Sequence, residues 1–242
     1  MMSDFAWLTQ RPIAHRGYHD MNRTIWENTL SAFSRAVEAG FAIECDLQYA
    51  ADGVPVVFHD DELQRLCNIP GDVRAKSSSE LSLLSIGGTK DRVPRLRDML
   101  NLVKGKVPLV IELKGRAGDD DGFVESVLDV LEGYQGPVAL MSFDHWLLRE
   151  IKEIGVPYPV GLTAYGDKPE IWERQTHEME IGLDFTSYHY AHLPNPFTEG
   201  LRKKGIPVIT WTVRDEAAIR QTFDNADQMT FEGFDPRETK AA

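Results

Sequence analysis

The sequence is poor in cysteine, in long apolar runs and in positive charge. Only two cysteines, Cys45 and Cys67, occur in 242 residues, and they do not form a metal-type Cys-x-x-Cys. One pair in a chain of this length is no disulfide framework, so a reducing compartment is the simpler expectation and the cytoplasm the expected location. No run approaches the ~18 consecutive apolar residues of a membrane span. Residues Met1 to Arg11 carry Asp4 and lack an apolar stretch behind a basic flank, so no signal peptide is expected. Lys and Arg total 26 against 38 Asp and Glu, a formal charge of −12. A field of that sign repels nucleic acid and anionic lipid, so neither nucleic-acid binding nor stable membrane association is expected. An anionic substrate would need local cations to overcome it.

What is present is an ordinary globular balance, 42% apolar and 26% charged, enough for a sizeable core. Short apolar runs alternate with amphipathic stretches. Strand-like runs are Pro12–Ala14, Phe41–Tyr49, Pro108–Leu113, Val138–Phe143, Val160–Ala164, Asp184–Tyr188, Pro207–Val213 and Ala226–Phe231. Helical patterns fall between them, beginning with Asn28–Ala39 before Gly40 and including Leu96–Val103, Phe123–Leu131 and Pro169–Met179. Eight such units predict an α/β fold, a (β/α)8 TIM-type barrel in a single domain over residues 1–242. A doubly wound open sheet is the architectural alternative. Val54–Phe58 follows Tyr49 after only Ala50-Ala51-Asp52-Gly53, too short for a parallel crossover. It is therefore a β-hairpin excursion after the second strand, and it brings His59 level with Glu44–Asp46. The face His59 presents depends on a register that spacing does not determine. Asp61–Lys106 reads as loop-rich until its helix near Leu96.

Glu44 and Asp46 are two apart on one strand, so their carboxylates share a face. At the carboxyl end of a barrel strand that face looks into the mouth where barrel active sites lie. Two carboxylates there repel unless a cation intervenes, and Mg²⁺ or Ca²⁺ suits oxygen-only ligands. The plain alternative is a solvated strand face. Glu112 and Lys114 repeat the spacing on the next barrel strand, as a third metal oxygen and a phosphate contact, or else as a rim salt bridge. His15-Arg16-Gly17 ends the first strand, with a proton-transfer group beside a phosphate-gripping fork. His59-Asp60 ends the hairpin. Taken alone, either histidine is as well explained as structural. Their joint placement at the strand ends of one face, with Arg16, Lys114 and three carboxylates, favours a site. Asn28 reads as the N-cap of the first helix, Glu27 as a carboxylate near the metal, and Trp211 as core or pocket lining. His19, His145, His177, His189 and His192 have no companions at informative spacing and read as structural.

Assembled, these residues resemble the glycerophosphodiester phosphodiesterase family. The match runs through Ala14-His15-Arg16-Gly17, Glu27-Asn28-Thr29, Ile43-Glu44-Cys45-Asp46-Leu47 and Asp52 to Asp60 with Leu63 and Arg65. It continues through Pro94-Arg95-Leu96, Ile111-Glu112-Leu113-Lys114, Ser142-Phe143 and Trp211-Thr212-Val213. The resemblance implies a barrel that hydrolyses a small-molecule glycerophosphodiester to sn-glycerol 3-phosphate and an alcohol with a divalent cation, Mg²⁺ or Ca²⁺. It implies Glu44, Asp46 and Glu112 as metal ligands and His15 and His59 as the acid/base pair. Arg16 and Lys114 would contact phosphate, with Glu27 and Trp211 at the substrate. Trp26 replaces the proline usual before Glu-Asn, and the usual closing Thr-Asp-x-Pro is absent from Thr230-Phe231-Glu232-Gly233-Phe234-Asp235-Pro236. The eighth loop is thus where family expectation stops. A lysophospholipid diesterase and a catalytically silent binding barrel are the rival readings. A homo-oligomer is compatible with the sequence but not implied by it.

Overall fold

The computed structural model describes residues 5–239. Strand β1 (Ile13–Ala14) is followed by helix α1 (Leu30–Ala39), β2 (Ala42–Tyr49) and β3 (Pro55–Val57). The next elements are short helices α2 (Gln64–Cys67) and α3 (Ser78–Leu81), then α4 (Leu96–Val103) and β4 (Leu109–Leu113). From there strand and helix alternate as α5 (Phe123–Leu131), β5 (Val138–Ser142), α6 (His145–Ile154), β6 (Val160–Ala164) and α7 (Pro169–Met179). The last turns are β7 (Phe185–His189), α8 (Pro196–Lys203), β8 (Val208–Val213), α9 (Glu216–Asn225) and β9 (Gln228–Phe231).

Closure decides between barrel and open sheet. Ile13 on β1 pairs in parallel register with Ala42 of β2 and with Thr230 of β9, so the first strand joins both ends of the sheet. Eight parallel strands form the ring, and β3 lies outside it, antiparallel to β2 with Leu47 opposite Val57. The hairpin excursion is where the sequence placed it. Among the described residues, no helix is long and apolar enough to cross a membrane.

The helices follow local chemistry. Thr29 caps α1 by accepting from the Ala32 amide, and Gly40 ends it at φ 77°. Pro169 and Pro196 open α7 and α8, where a missing N–H goes unnoticed. The expected capping role of Asn28 is overturned. Asn28 sits at φ 53°, one residue outside the cap, with its side chain turned toward the barrel.

One apolar layer lies between strands and helices. A second fills the lower barrel, where Ile13, Val110, Ala139, Phe185 and Ile209 meet Leu8 from the segment preceding β1. Gly161 is required there, because a Cβ would stand 2.3 Å from the Phe185 ring. The loop-rich stretch after β3 has a small core of its own, with Phe58, Leu63, Leu66, Val73, Leu81 and Ile86 buried together. That packing anchors the hairpin and the residues that follow it beside the barrel mouth.

Candidate active site

The lower barrel is plugged by side chains, so the inward positions above it open as a cavity of about 190 Å³ at the carboxyl ends of the strands. Glu44, Asp46 and Glu112 line it and are 2%, 1% and 5% exposed. Asp46 and Glu112 are register partners on β2 and β4. One oxygen from each of the three carboxylates lies within 4.8 Å of the others. Burial, and then the charges of Asp46 and Glu112, push the Glu44 carboxyl well above its ordinary pKa. Burial acts the same way on Asp46, but Lys114 and Arg16 outweigh it and hold Asp46 ionised. Lys114 Nζ lies 3.1 Å from Asp46 Oδ1 and also bonds Glu112. Three buried carboxylates against two cations are short of positive charge, and the donor set is all oxygen. The residues present therefore fit a hard divalent cation.

Asn28 fixes this cluster from behind. Its Nδ2 donates to Asp46 Oδ2 at 2.8 Å, and its own amide donates to the Arg16 carbonyl. Arg16 adopts φ 54° so that its amide can donate to Glu44 Oε2 at 2.8 Å. Gly17 follows at φ 83°, where a Cβ would lie 2.8 Å from that of Ala32. The His-Arg-Gly turn is thus pressed between α1 and the carboxylates.

Both expected histidines reach the cavity, each with Nδ1 held by a carboxylate. His15 Nδ1 donates to Glu232 Oε2 at 2.5 Å, and His59 Nδ1 lies 2.7 Å from Asp60 Oδ1. Burial outweighs Glu232 and lowers the His15 pKa to about 4. His15 is therefore neutral near pH 7, with its proton on Nδ1 and a lone pair on Nε2. Glu232 is held further by Arg214 Nε at 2.7 Å, and His19 Nε2 stands 3.5 Å away. Burial raises the Glu232 carboxyl, but the bond from His15, with His19 close by, more than reverses that and holds it well below its ordinary range.

Glu27 lies behind the cavity rather than on its wall, 4% exposed. It accepts from Arg16, from Asn22 and from both terminal nitrogens of Arg65. The same Arg65 clasps Asp60, the partner of His59. A chain of charge-assisted bonds therefore runs from Arg16 through Glu27, Arg65 and Asp60 to His59. Trp211 does line the cavity, its Nε1 bonded to the Ser187 carbonyl at 3.1 Å.

A family model described as the glycerophosphoryl diester phosphodiesterase family matches residues 15–233. The chain belongs to that family. A glycerophosphodiester phosphodiesterase of Caldanaerobacter subterraneus subsp. tengcongensis is 32% identical over 83% of this chain and 84% of its own length. Glycerophosphodiester phosphodiesterase 1 of Bos taurus is 32% identical over 90% of this chain and 76% of its own length. Among solved structures, an Oleispira antarctica phosphodiesterase in complex with the product sn-glycerol-3-phosphate superposes with a TM-score of 0.84. It is 22% identical and is covered, like this chain, over 97% of its length.

Glu232, His19 and His189 are what spacing missed within this family site. Glu232 carries the same signal as Glu112, a carboxylate at the end of an apolar strand, in a segment that departs from the family ending. His19 and His189 offered no signal, since only the folded chain brings one to Glu232 and the other to the cavity wall.

Proposed function

We propose that the protein hydrolyses glycerophosphodiesters to sn-glycerol 3-phosphate and an alcohol, with a divalent cation and a histidine acid/base pair. The observation that carries this is the convergence of Glu44, Asp46 and Glu112 with two carboxylate-anchored histidines on one cavity. Glu44, Asp46 and Glu112 would hold Mg²⁺ or Ca²⁺, which supplies charge neutralisation at the phosphodiester when bound. Arg16 and Lys114, both at the same cavity, place positive charge against the phosphoryl oxygens. Neutral His15, with its Nε2 lone pair, accepts the nucleophile's proton. Its Nδ1–H bond to Glu232 then steadies the imidazolium that forms. His59, backed by Asp60, donates a proton to the departing alcohol. Each transfer is typically worth about 10²–10⁴-fold. Glu27 and Arg65 keep the Arg16 fork and the His59–Asp60 pair in fixed relation, and Trp211 closes the opposite side.

The test is release of glycerol 3-phosphate from a panel of glycerophosphodiesters, with and without Mg²⁺ or Ca²⁺ after chelation. Activity should vanish on chelation and return with one of the ions; full activity in chelator refutes the metal site. His15→Ala and His59→Ala should each cut turnover by orders of magnitude in a folded protein. A lysophospholipid assayed beside glycerophosphocholine separates the nearest rival.

A further inference from the structure

Past Leu113 the β4 ladder ends, and the chain that carries Lys114 is held largely by side chains. The Lys114 amide still donates to the Leu47 carbonyl at 3.0 Å. The Lys114 carbonyl accepts from Arg74 Nη2 at 2.7 Å. The Gly115 amide then donates to Asp144 Oδ2 at 2.7 Å, and the Arg116 amide lies on both oxygens of Asp120. Arg74 Nη1 closes the loop, bonding Asp120 Oδ1 at 2.7 Å and the Asp119 carbonyl at 2.6 Å. One guanidinium therefore grips both ends of the loop from Lys114 to Asp120.

Arg74 comes from outside the barrel. It sits on a single 3-10 turn, Val73–Ala75, in the stretch between β3 and α4. Asp72 caps that turn by accepting from the Arg74 amide at 2.7 Å. Val73 is buried in the small core of the same stretch, and Arg74 crosses to the barrel, 9% exposed. Its Nε reaches Gln48 Oε1 at 3.4 Å, on the β2 face that also carries Glu44 and Asp46. All three guanidinium nitrogens are thus engaged, two of them on the loop of Lys114. A cation that served only to neutralise Asp120 would not need the Lys114 carbonyl.

Lysine is a point charge on a flexible four-carbon stem, so it carries little geometry of its own. Where Lys114 Nζ stands is set by Asp46 and Glu112 and by the backbone it hangs from. Those two carboxylates are the ones assigned to the cation, which leaves the backbone as the anchor that no ligand competes for. We propose that Arg74 is a positioning residue for Lys114, holding the lysine backbone so that Nζ stands at the phosphate place of the cavity. This rests on the phosphodiesterase reading above, in which Lys114 faces the phosphoryl oxygens. Arg116 provides the contrast. It joins the same loop to the same stretch, with Nη1 2.9 Å from Asp72 Oδ2 and Nη2 3.3 Å from Asp61 Oδ1, but its side chain does not bond Lys114.

The experiment measures kcat/KM for choline release from sn-glycero-3-phosphocholine by the metal-loaded enzyme, and the Kd of inorganic phosphate by calorimetry. The variants are Arg74→Met, Arg116→Gln, Lys114→Met and the Arg74→Met/Lys114→Met double variant. Arg74→Met should lower kcat/KM by about 10–100-fold, the scale set by ~1 Å of misplacement, and weaken phosphate binding. On a Lys114→Met background it should change either reading by less than about twofold, because the residue it acts through is gone. Arg116→Gln should lower the Tm and leave both readings in place. Unchanged readings in Arg74→Met overturn the proposal. A loss as large without Lys114, or the same loss in Arg116→Gln, identifies Arg74 as a structural staple and does so too. If Arg74→Met does not fold, Arg74→Lys takes its place in the comparison, since it keeps the charge beside Asp120 with one nitrogen where the guanidinium has three. If the unaltered enzyme turns over and Lys114→Met keeps full kcat/KM, Lys114 is no phosphate contact and the proposal falls while the phosphodiesterase reading stands. No turnover by the unaltered enzyme removes that reading, and the phosphate Kd then decides on Arg74 alone.

Discussion

His15 and Glu232 stand 217 positions apart in sequence, and His15 Nδ1 donates to Glu232 Oε2 at 2.5 Å. The bond spans the seam where β1 closes onto β9, so the role proposed for His15 depends on the barrel being shut. Glu232→Gln removes the charge that holds the Nδ1 proton and steadies a protonated His15. Turnover should fall by up to about 10⁴-fold, the loss seen when the carboxylate behind a catalytic histidine becomes an amide. In a His15→Ala background the same change should have almost no further effect. Additive losses in the double variant would show that Glu232 acts elsewhere.

Asn28 ties α1 to the carboxylate cluster through Asp46. Asn28→Ala leaves Asp46 one donor short in a buried site and puts alanine at φ 53°. The expected loss is roughly 1–3 kcal/mol of stability, together with a higher Mg²⁺ or Ca²⁺ concentration at half-maximal activity. Asn28→Asp should be worse on the first count without metal, since it sets a fourth buried carboxylate against Asp46. Urea unfolding and a metal titration read the two effects separately.

The low pKa of His15 makes stability depend on pH in a defined direction. An unfolded histidine ionises near pH 6.5, and the folded one near about 4. Between these values the unfolded chain binds more protons, so stability rises with pH from about 4 to about 6.5 and is fully present above that. The contribution is at most ~3 kcal/mol. His15→Ala should flatten this part of the profile in a series of denaturant midpoints. A parallel profile in the variant would place the neutral histidine elsewhere.

Gly161 faces the Phe185 ring in the lower barrel. Gly161→Ala should cost about 1–3 kcal/mol by overpacking, and Phe185→Leu in the same chain should recover part of it. Chemical denaturation of the two single variants and the double variant measures that coupling.

Much of this was legible before folding. All eight barrel strands and the hairpin lie where the period and the turn residues put them. Glu44, Asp46, Glu112, Lys114, His15 and His59 were placed at strand ends and do meet in one cavity. Asn28 was misread because an Asn before an amphipathic run is a good cap, and Thr29, next to it, is equally good. Which of two adjacent candidates turns inward depends on Asp46, on a different strand. Glu27 was expected at the substrate and is instead enclosed by Arg16, Asn22 and Arg65.

Residue order alone determined what repeats locally: which segments extend, which coil, and which side chains alternate onto one face of a strand. Those properties follow from backbone geometry within a few residues. Tertiary structure alone decided the partners. It set Glu232 on His15 and Arg65 between Glu27 and Asp60. These neighbours come from strands far apart in the chain, and their meeting is set by how eight strands stagger as the sheet closes, a quantity that no local pattern carries.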